Sequence, residues 1–280
     1  MIKIVRFYRT VLPIEIERIA QVQEIFRQNF SAVADYAKKI PDLLDNPIKY
    51  GYTAVLLVSE TALGKVTGFS LFLYFPQISS AFLDFMAVRK DIHGAGTGSA
   101  LYEATRDYLK ETNCLGLYLE ALPDNPNAVK DKKQLKENRR RLKFYEHYGV
   151  RPIVGTEYET PIGDSTAPHL LYDSLDCKEP LRRSQCRAVM RTILSKKYSH
   201  LVTNDYIERV VESVVDDPVR IREPKYVKKA VPTSDNYPRR LEKPFVMVCG
   251  KTHEVHHVRD RGYVERPARV TAIAEALSTT

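Results

Sequence analysis

Three glycines at alternate positions, Gly94, Gly96 and Gly98, constrain this chain more than any other feature. An apolar run, Phe82-Leu83-Asp84-Phe85-Met86-Ala87-Val88, precedes them with a polar turn between, and Thr97, Ser99, Ala100, Leu101 and Tyr102 open a helix-forming stretch. The order is strand, turn, glycine loop, helix start. Glycine removes side chains where a ligand would meet backbone N–H groups. The helix expected over residues 96–111 points its positive end at the same place, so the stretch suits a pyrophosphate. The spacing G-x-G-x-G differs from the Rossmann G-x-G-x-x-G. The phosphate-loop lysine is missing as well, because Ser99 and Ala100 stand where Lys and Ser/Thr are required. Spacing alone is also met by a glycine-rich helix entry that holds nothing.

The surroundings place this stretch inside a larger α/β unit. Residues 1–11 read as an edge strand, Pro13 starts a helix with Ile16, Ile19, Ala20, Val22 and Phe26 on one side, and a second helix is expected over 31–44. Strands follow at 53–59, 65–75 and 80–88, the first two as a hairpin. After the glycine loop and its helix come a strand at 115–122, a helix at 132–148 ended by Gly149, and strands at 150–154 and 168–175. A ligand is expected where strands 80–88 and 115–122 splay apart.

Here the chain resembles the GNAT superfamily of N-acetyltransferases, whose loop follows a strand ending in Val with the pattern Gln/Arg-x-x-Gly-x-Gly/Ala. This chain has Val88, then His93-Gly94-Ala95-Gly96-Thr97-Gly98, with His93 where the family usually has Gln or Arg. The element order over residues 1–178 is also the family's. The resemblance implies a mixed central sheet splayed at an acetyl-CoA site with helices on both faces, and acetyl-CoA as cosubstrate. It assigns cofactor binding to Met86 and Val88 on the strand and to His93, Gly94, Ala95, Gly96, Thr97, Gly98 and Ser99 in the loop and helix start.

Past residue 178 the character changes. Helical patterns at 180–198 and 204–215 form an extension; in the second, Ile207, Val210, Val211, Val214 and Val215 make an apolar stripe. Residues 218–244 contain five prolines and eight Lys and Arg against three acids, and read as a basic linker. Residues 245–280 resemble the opening of zinc-dependent deacetylases and acetylpolyamine amidohydrolases, through Tyr263-Val264-Glu265-Arg266-Pro267-Ala268-Arg269-Val270. That family's zinc ligands do not occur here, so the tail implies a fragment of an acetyltransferase–deacetylase fusion without deacetylase activity. His253-Glu254-Val255-His256-His257 matches H-E-x-x-H, but Val-Cys-Gly before it and Arg-Asp-Arg-Gly after it oppose the helix a zinc site needs, and no metal is expected.

Acetyl transfer to an amine requires a polarised carbonyl, an amine that loses a proton and a thiolate that gains one. Tyr145 is the candidate acid: Asn138 and Tyr145 match the family's Asn and Tyr seven residues apart, two helical turns along one face. Asn138 would bond the pantetheine or order the helix, and a tyrosine at a helix end can equally be plain core. Asp84 is the candidate base, read as sharing a strand face with Phe82, Met86 and Val88; an acid there is costly unless paired or used. A solvent-facing or loop-bonded Asp84 is the alternative, and Glu120 on the facing strand is the reserve. Lys132, Lys133, Lys136, Arg139, Arg140, Arg141 and Lys143 make a basic face that could meet CoA phosphates or a nucleic acid; without interleaved aromatics a solvated helix face is the stronger reading.

Composition sets the outer bounds. The chain is 280 residues long with a net charge of +8, which favours anionic ligands. No apolar run is long enough for a membrane span, the N-terminus lacks a signal-peptide core, and four dispersed cysteines fit a reduced, cytoplasmic setting. The expected activity is transfer of acetyl to a primary amine by direct attack in a ternary complex, with a small amine, polyamine or lysine as acceptor. The alternative is an acetyl-CoA-binding regulatory module without turnover. A homodimer is compatible with either.

Overall fold

A computed structural model describes residues 3–91, 96–159 and 167–227. The chain divides into two compact units, Met1–Thr233 and Ser234–Thr280, and every described residue lies in the first. The deacetylase-like tail, the H-E-x-x-H run and most of the expected linker lie outside the described residues, as do His93, Gly94 and Ala95.

Strand β1 (Lys3–Phe7) leads to α1 (Pro13–Asn29), which starts at Pro13, where the missing N–H costs nothing. Glu15 closes the helix start by accepting from the backbone N–H of Val11 (3.0 Å) and Leu12 (2.8 Å). The single helix expected over 31–44 is instead a 3₁₀ stretch, Ser31–Lys39, broken at Val33, followed by a separate α2 (Ile40–Asp45). Pro41 explains the restart, because proline fits the first turn of a helix and not its interior. A one-turn α3 (Pro47–Tyr50) precedes the central strands β2 (Thr53–Glu60), β3 (Val66–Phe75) and β4 (Ser80–Val88). Then come α4 (Thr97–Glu111), β5 (Leu117–Ala121), α5 (Lys132–Glu146), β6 (Arg151–Pro152) and β7 (His169–Asp173).

The strands form one sheet in the order β1-β2-β3-β4-β5-β7-β6, and only the β4–β5 pair is parallel. This is the GNAT fold: a mixed sheet with helices on both faces. One face packs α4 and α5 through Leu101, Tyr102, Leu109, Leu142 and Tyr145. The other packs α1 and α2 through Ile19, Val22, Phe26, Ile40 and Leu43.

Two further helices, α6 (Arg183–Lys196) and α7 (Asn204–Glu212), join that second layer. Val189, Met190 and Ile193 of α6 and Ile207, Val210 and Val211 of α7 lie in the same core as Phe26, Phe69 and Phe82. The expected stripe loses one member: α7 ends at Glu212, so Val214 is buried but Val215, off the helical register, is 61% exposed. Residues 219–222 then run along the β6 edge, with Val154 N donating to Arg220 O (3.1 Å) and Arg222 N to Pro152 O (2.8 Å). The chain therefore remains docked on the sheet beyond Pro218.

Candidate active site

The site begins at a β-bulge. On β4, Phe85 pairs with Leu71 and Leu83 with Phe72, so Asp84 is an extra residue with no partner on β3. The extra residue resets the alternation of the strand. Phe82, Phe85 and Ala87 face the α1/α6 layer, while Leu83, Met86 and Val88 face the α4/α5 layer. The expectation that Phe82, Asp84, Met86 and Val88 share a face is therefore corrected: strict period 2 holds only for a strand without a bulge. Asp84 lies on the side of Phe82 and Phe85, across the sheet from Met86 and Val88.

At the same point β4 parts from β5. Their parallel pairing covers only Ala81↔Leu117, Phe82↔Tyr118 and Leu83↔Leu119. From Asp84 onward the β5-facing edge of β4 has no ladder partner among the described residues. The Asp84 side chain is 0% exposed, yet the residue as a whole is partly exposed, so the accessible part is backbone. Phe85, Met86 and Val88 are partly exposed too. The result is a cleft floored by β4 backbone that joins no strand ladder among the described residues, with Asn29 Nδ2 donating to Val88 O (3.5 Å) at its far end.

The start of α4 stands at the open end of that strand. Gly96 caps the helix with φ 67°, a left-handed conformation suited to glycine, and a side chain there would project into open space. A Cβ at Gly98 would meet Val88 Cγ2 at 3.8 Å, which places the first turn of the helix against the end of β4. Thr97 is buried. The first N–H groups of a helix have no intrahelical acceptor, and none of the described residues accepts from the amides of Thr97, Gly98 and Ser99, so these can meet a ligand. Gly96 leaves room for an anion there, so the residues present fit a CoA pyrophosphate.

Helix α5 brings Tyr145 to the same layer. Asn138, Leu142 and Tyr145 are its buried stripe. Asn138 Nδ2 donates to Pro123 O (2.9 Å), tying α5 to the loop after β5. Tyr145 packs edge-on against Tyr102 (centroids 5.2 Å apart) and, among the described residues, no group hydrogen-bonds its hydroxyl. Burial pushes its phenol up to about 12, so it stays protonated at ordinary pH. Beneath this cluster Tyr102 Oη (2.7 Å) and Arg106 Nε (2.9 Å) both donate to the buried Asp173, fixing α4 on β7.

On the opposite side of the sheet lies a cavity of about 700 Å³, walled by Phe30, Tyr36, Tyr52, Phe85 and the α6–α7 connection at 195–201. Two carboxylates, one from each splayed strand, lie on its wall. Asp84 accepts from Tyr36 Oη (2.6 Å) and pairs with the Lys197 ammonium. Glu120 accepts from Tyr158 Oη and Tyr198 Oη, each at 2.6 Å. Burial, then the adjoining carboxylate charge, pushes the Tyr36, Tyr158 and Tyr198 phenols well up, so all three remain donors.

The structure thus brings Met86, Val88 and the backbone of Asp84 to the cleft, with Gly96, Thr97, Gly98 and Ser99 at its end and Tyr145 on the adjoining helix face, while the Asp84 carboxylate lies across the sheet on the cavity wall. Asn138 is spent on a protein carbonyl. Sequence reasoning missed Tyr36, Tyr158, Lys197 and Tyr198. They come from three separate segments, and no spacing links them; the only available signal was an acid on an apolar strand, which required partners from somewhere.

Residues 19–131 match the acetyltransferase (GNAT) family. Over that stretch, less than half of the chain, the sequence is similar to GNAT acetyltransferases. No curated protein matches it in sequence. Solved structures similar to it include the catalytic domain of the Tetrahymena GCN5 histone acetyltransferase in complex with coenzyme A, at 14% identity and TM-score 0.45, over 64% of this chain and 96% of that one. An aminoglycoside 6'-N-acetyltransferase complexed with coenzyme A is similar at 15% identity and TM-score 0.46, over 63% and 99%. Ard1 from Thermoplasma volcanium is similar at 21% identity and TM-score 0.39, over 61% and 95%. The family match ends at residue 131, before α5, α6 and α7, so Tyr145 and Lys197 lie beyond it.

Proposed function

We propose that this GNAT domain transfers the acetyl group of acetyl-CoA to a primary amine held in the 700 Å³ cavity. One observation carries the reading. The bulge at Asp84 opens the β4 backbone toward a cleft and, at the same residue, turns a carboxylate into the cavity on the other side. A cosubstrate and an acceptor can thus meet across one strand.

Acetyl-CoA bound in the cleft supplies an acetyl group activated as a thioester. The amides of Thr97, Gly98 and Ser99 hold its pyrophosphate, and the sequence resemblance assigns His93, Gly94 and Ala95 to the same cosubstrate. Backbone N–H groups of β4, at Met86 and Val88, orient the pantetheine arm and the thioester oxygen. Asp84 holds the acceptor's ammonium and takes a proton from it at a carboxylate oxygen. Tyr145 donates its phenolic proton toward the departing sulfur. Attack is direct, in a ternary complex. The acceptor is a small amine, a polyamine or a lysine.

The regulatory alternative, binding without turnover, is favoured by one feature: both Asp84 and Glu120 already hold two donors each. Thiol release from acetyl-CoA against polyamines, free lysine, lysine peptides and aminoglycosides separates the two. Release with one acceptor class is expected. No release with any amine, while acetyl-CoA still raises the melting temperature, would establish the binding module instead. Tail residues 245–280 keep their reading as the start of a deacetylase-like unit on their sequence alone.

A further inference from the structure

Among the described lysines that line the cavity, Lys197 is the one whose ammonium pairs with Asp84. It follows the C-terminus of α6, and its side chain is 12% exposed although the neighbouring Lys196 is exposed. Its ammonium pairs with Asp84 and stands 4.5 Å from the Phe82 ring centroid, 5.0 Å from that of Tyr198 and 5.5 Å from that of Phe85. Carboxylate and aromatic faces together are what an acceptor ammonium would need. The Asp84 backbone, on the other side, is the point where β4 opens to the cleft.

We infer that Lys197 is an acetyl acceptor of its own active site, a tethered lysine modified within the same molecule. The inference rests on the acetyltransferase reading above and names a lysine-type ammonium as what the cavity recognises. The step balances as follows. Asp84 takes one proton from the Lys197 ammonium, and the Nζ lone pair forms a bond to the acetyl carbon. The carbon–sulfur bond breaks, the sulfur leaves as CoA thiolate and is protonated, and Nζ loses its second proton to become an amide N–H. The acetylated lysine carries no charge, so the pair with Asp84 is dissolved and that carboxylate is released for external amines.

The test is acetyl mapping by mass spectrometry on the full chain, with two reagents. With acetyl-CoA, Lys197 should be modified at least about tenfold faster than the exposed cavity lysines Lys39 and Lys196, because it is positioned, at a rate constant independent of protein concentration. With a small acetylating ester and no acetyl-CoA the order should invert, since Lys197 is buried and paired. Asp84→Asn should slow the first reaction selectively, and Lys197→Arg should remove the fast acetylation from that peptide, leaving only the slow modification at Lys196. Turnover of an external amine with Lys197 unmodified would overturn the inference and leave the acetyltransferase reading standing. Modification of Lys197 no faster than Lys39 and Lys196 would also overturn it. Absence of transfer to Lys197 and to every external amine would overturn both.

Discussion

Tyr145→Phe isolates one hydroxyl. The ring is 6% exposed and packed on Tyr102 and Phe144, and its hydroxyl has no hydrogen-bond partner among the described residues. Phenylalanine keeps the ring contacts, so stability should stay within about 1 kcal/mol, or about 2–4 °C in Tm. Catalysis should respond differently. Loss of a positioned general acid lowers a rate by about 10²–10⁴-fold, equivalent to about 2.7–5.4 kcal/mol of barrier. The defect should depend on pH. With its pKa near 12, Tyr145 is protonated throughout an ordinary assay range, whereas a free thiol ionises near ~8.5. Above that pH the leaving thiolate needs no donor, so the parent and the variant should converge. The assay is thiol release at saturating acetyl-CoA from pH ~7 to ~10, with a melting curve for each protein. A variant within about threefold of the parent below pH ~8, or a defect that stays constant to pH ~10, would refute the acid role.

Four further outcomes are expected. Lys197→Met leaves the buried Asp84 carboxylate with Tyr36 alone and should cost about 3 kcal/mol by chemical denaturation; Asp84→Asn in the same chain should recover most of it, and a lack of recovery would show that the pair is not coupled. Asp124 accepts from Arg222 (3.1 Å), Lys225 (3.0 Å) and Tyr226 (2.5 Å), which outweigh burial and hold its carboxyl down to about 2. Its folded pKa is therefore below its unfolded one: its stabilisation, on the order of 2 kcal/mol, is present above pH ~4 and lost as pH falls toward ~2. Asp124→Asn should flatten that part of the acid-unfolding curve. Gly96→Ala meets no atom within 4 Å but must adopt φ 67°, so a loss of about 1–2 kcal/mol with weaker acetyl-CoA binding by calorimetry is expected. Ending the chain at residue 217 removes the amides of Lys225, Tyr226 and Val227 from the buried Glu146 (2.8, 2.6 and 2.8 Å), next to Tyr145; limited proteolysis should then cut around α5 sooner than in the parent.

Much of the domain was legible because its signals are local. Apolar runs at 53–59 and 80–88, Pro13 at a helix start, and glycines before Ser99 each act within a few residues, and the elements appear where those signals lie. The site divides differently. Spacing marked Gly96 and Tyr145 as candidates. The direction of Asp84 did not, because a single bulge against Leu71 and Phe72 reverses which neighbours share its face, and nothing in Phe82–Val88 marks it. The segment 31–39 failed for a related reason: its helical pattern is intact, but Pro41 and the break at Val33 force a restart.

By itself the sequence determined an α/β chain with a glycine-entry helix behind a central strand, since periodicity and backbone chemistry are properties of neighbours along the chain. Only the tertiary structure decided what surrounds the two carboxylates. Tyr36, Tyr158, Lys197 and Tyr198 reach them across 48, 38, 113 and 78 residues of sequence. A buried charge draws its partners from whatever the fold brings near, and that pairing is written in packing rather than in any spacing of residues.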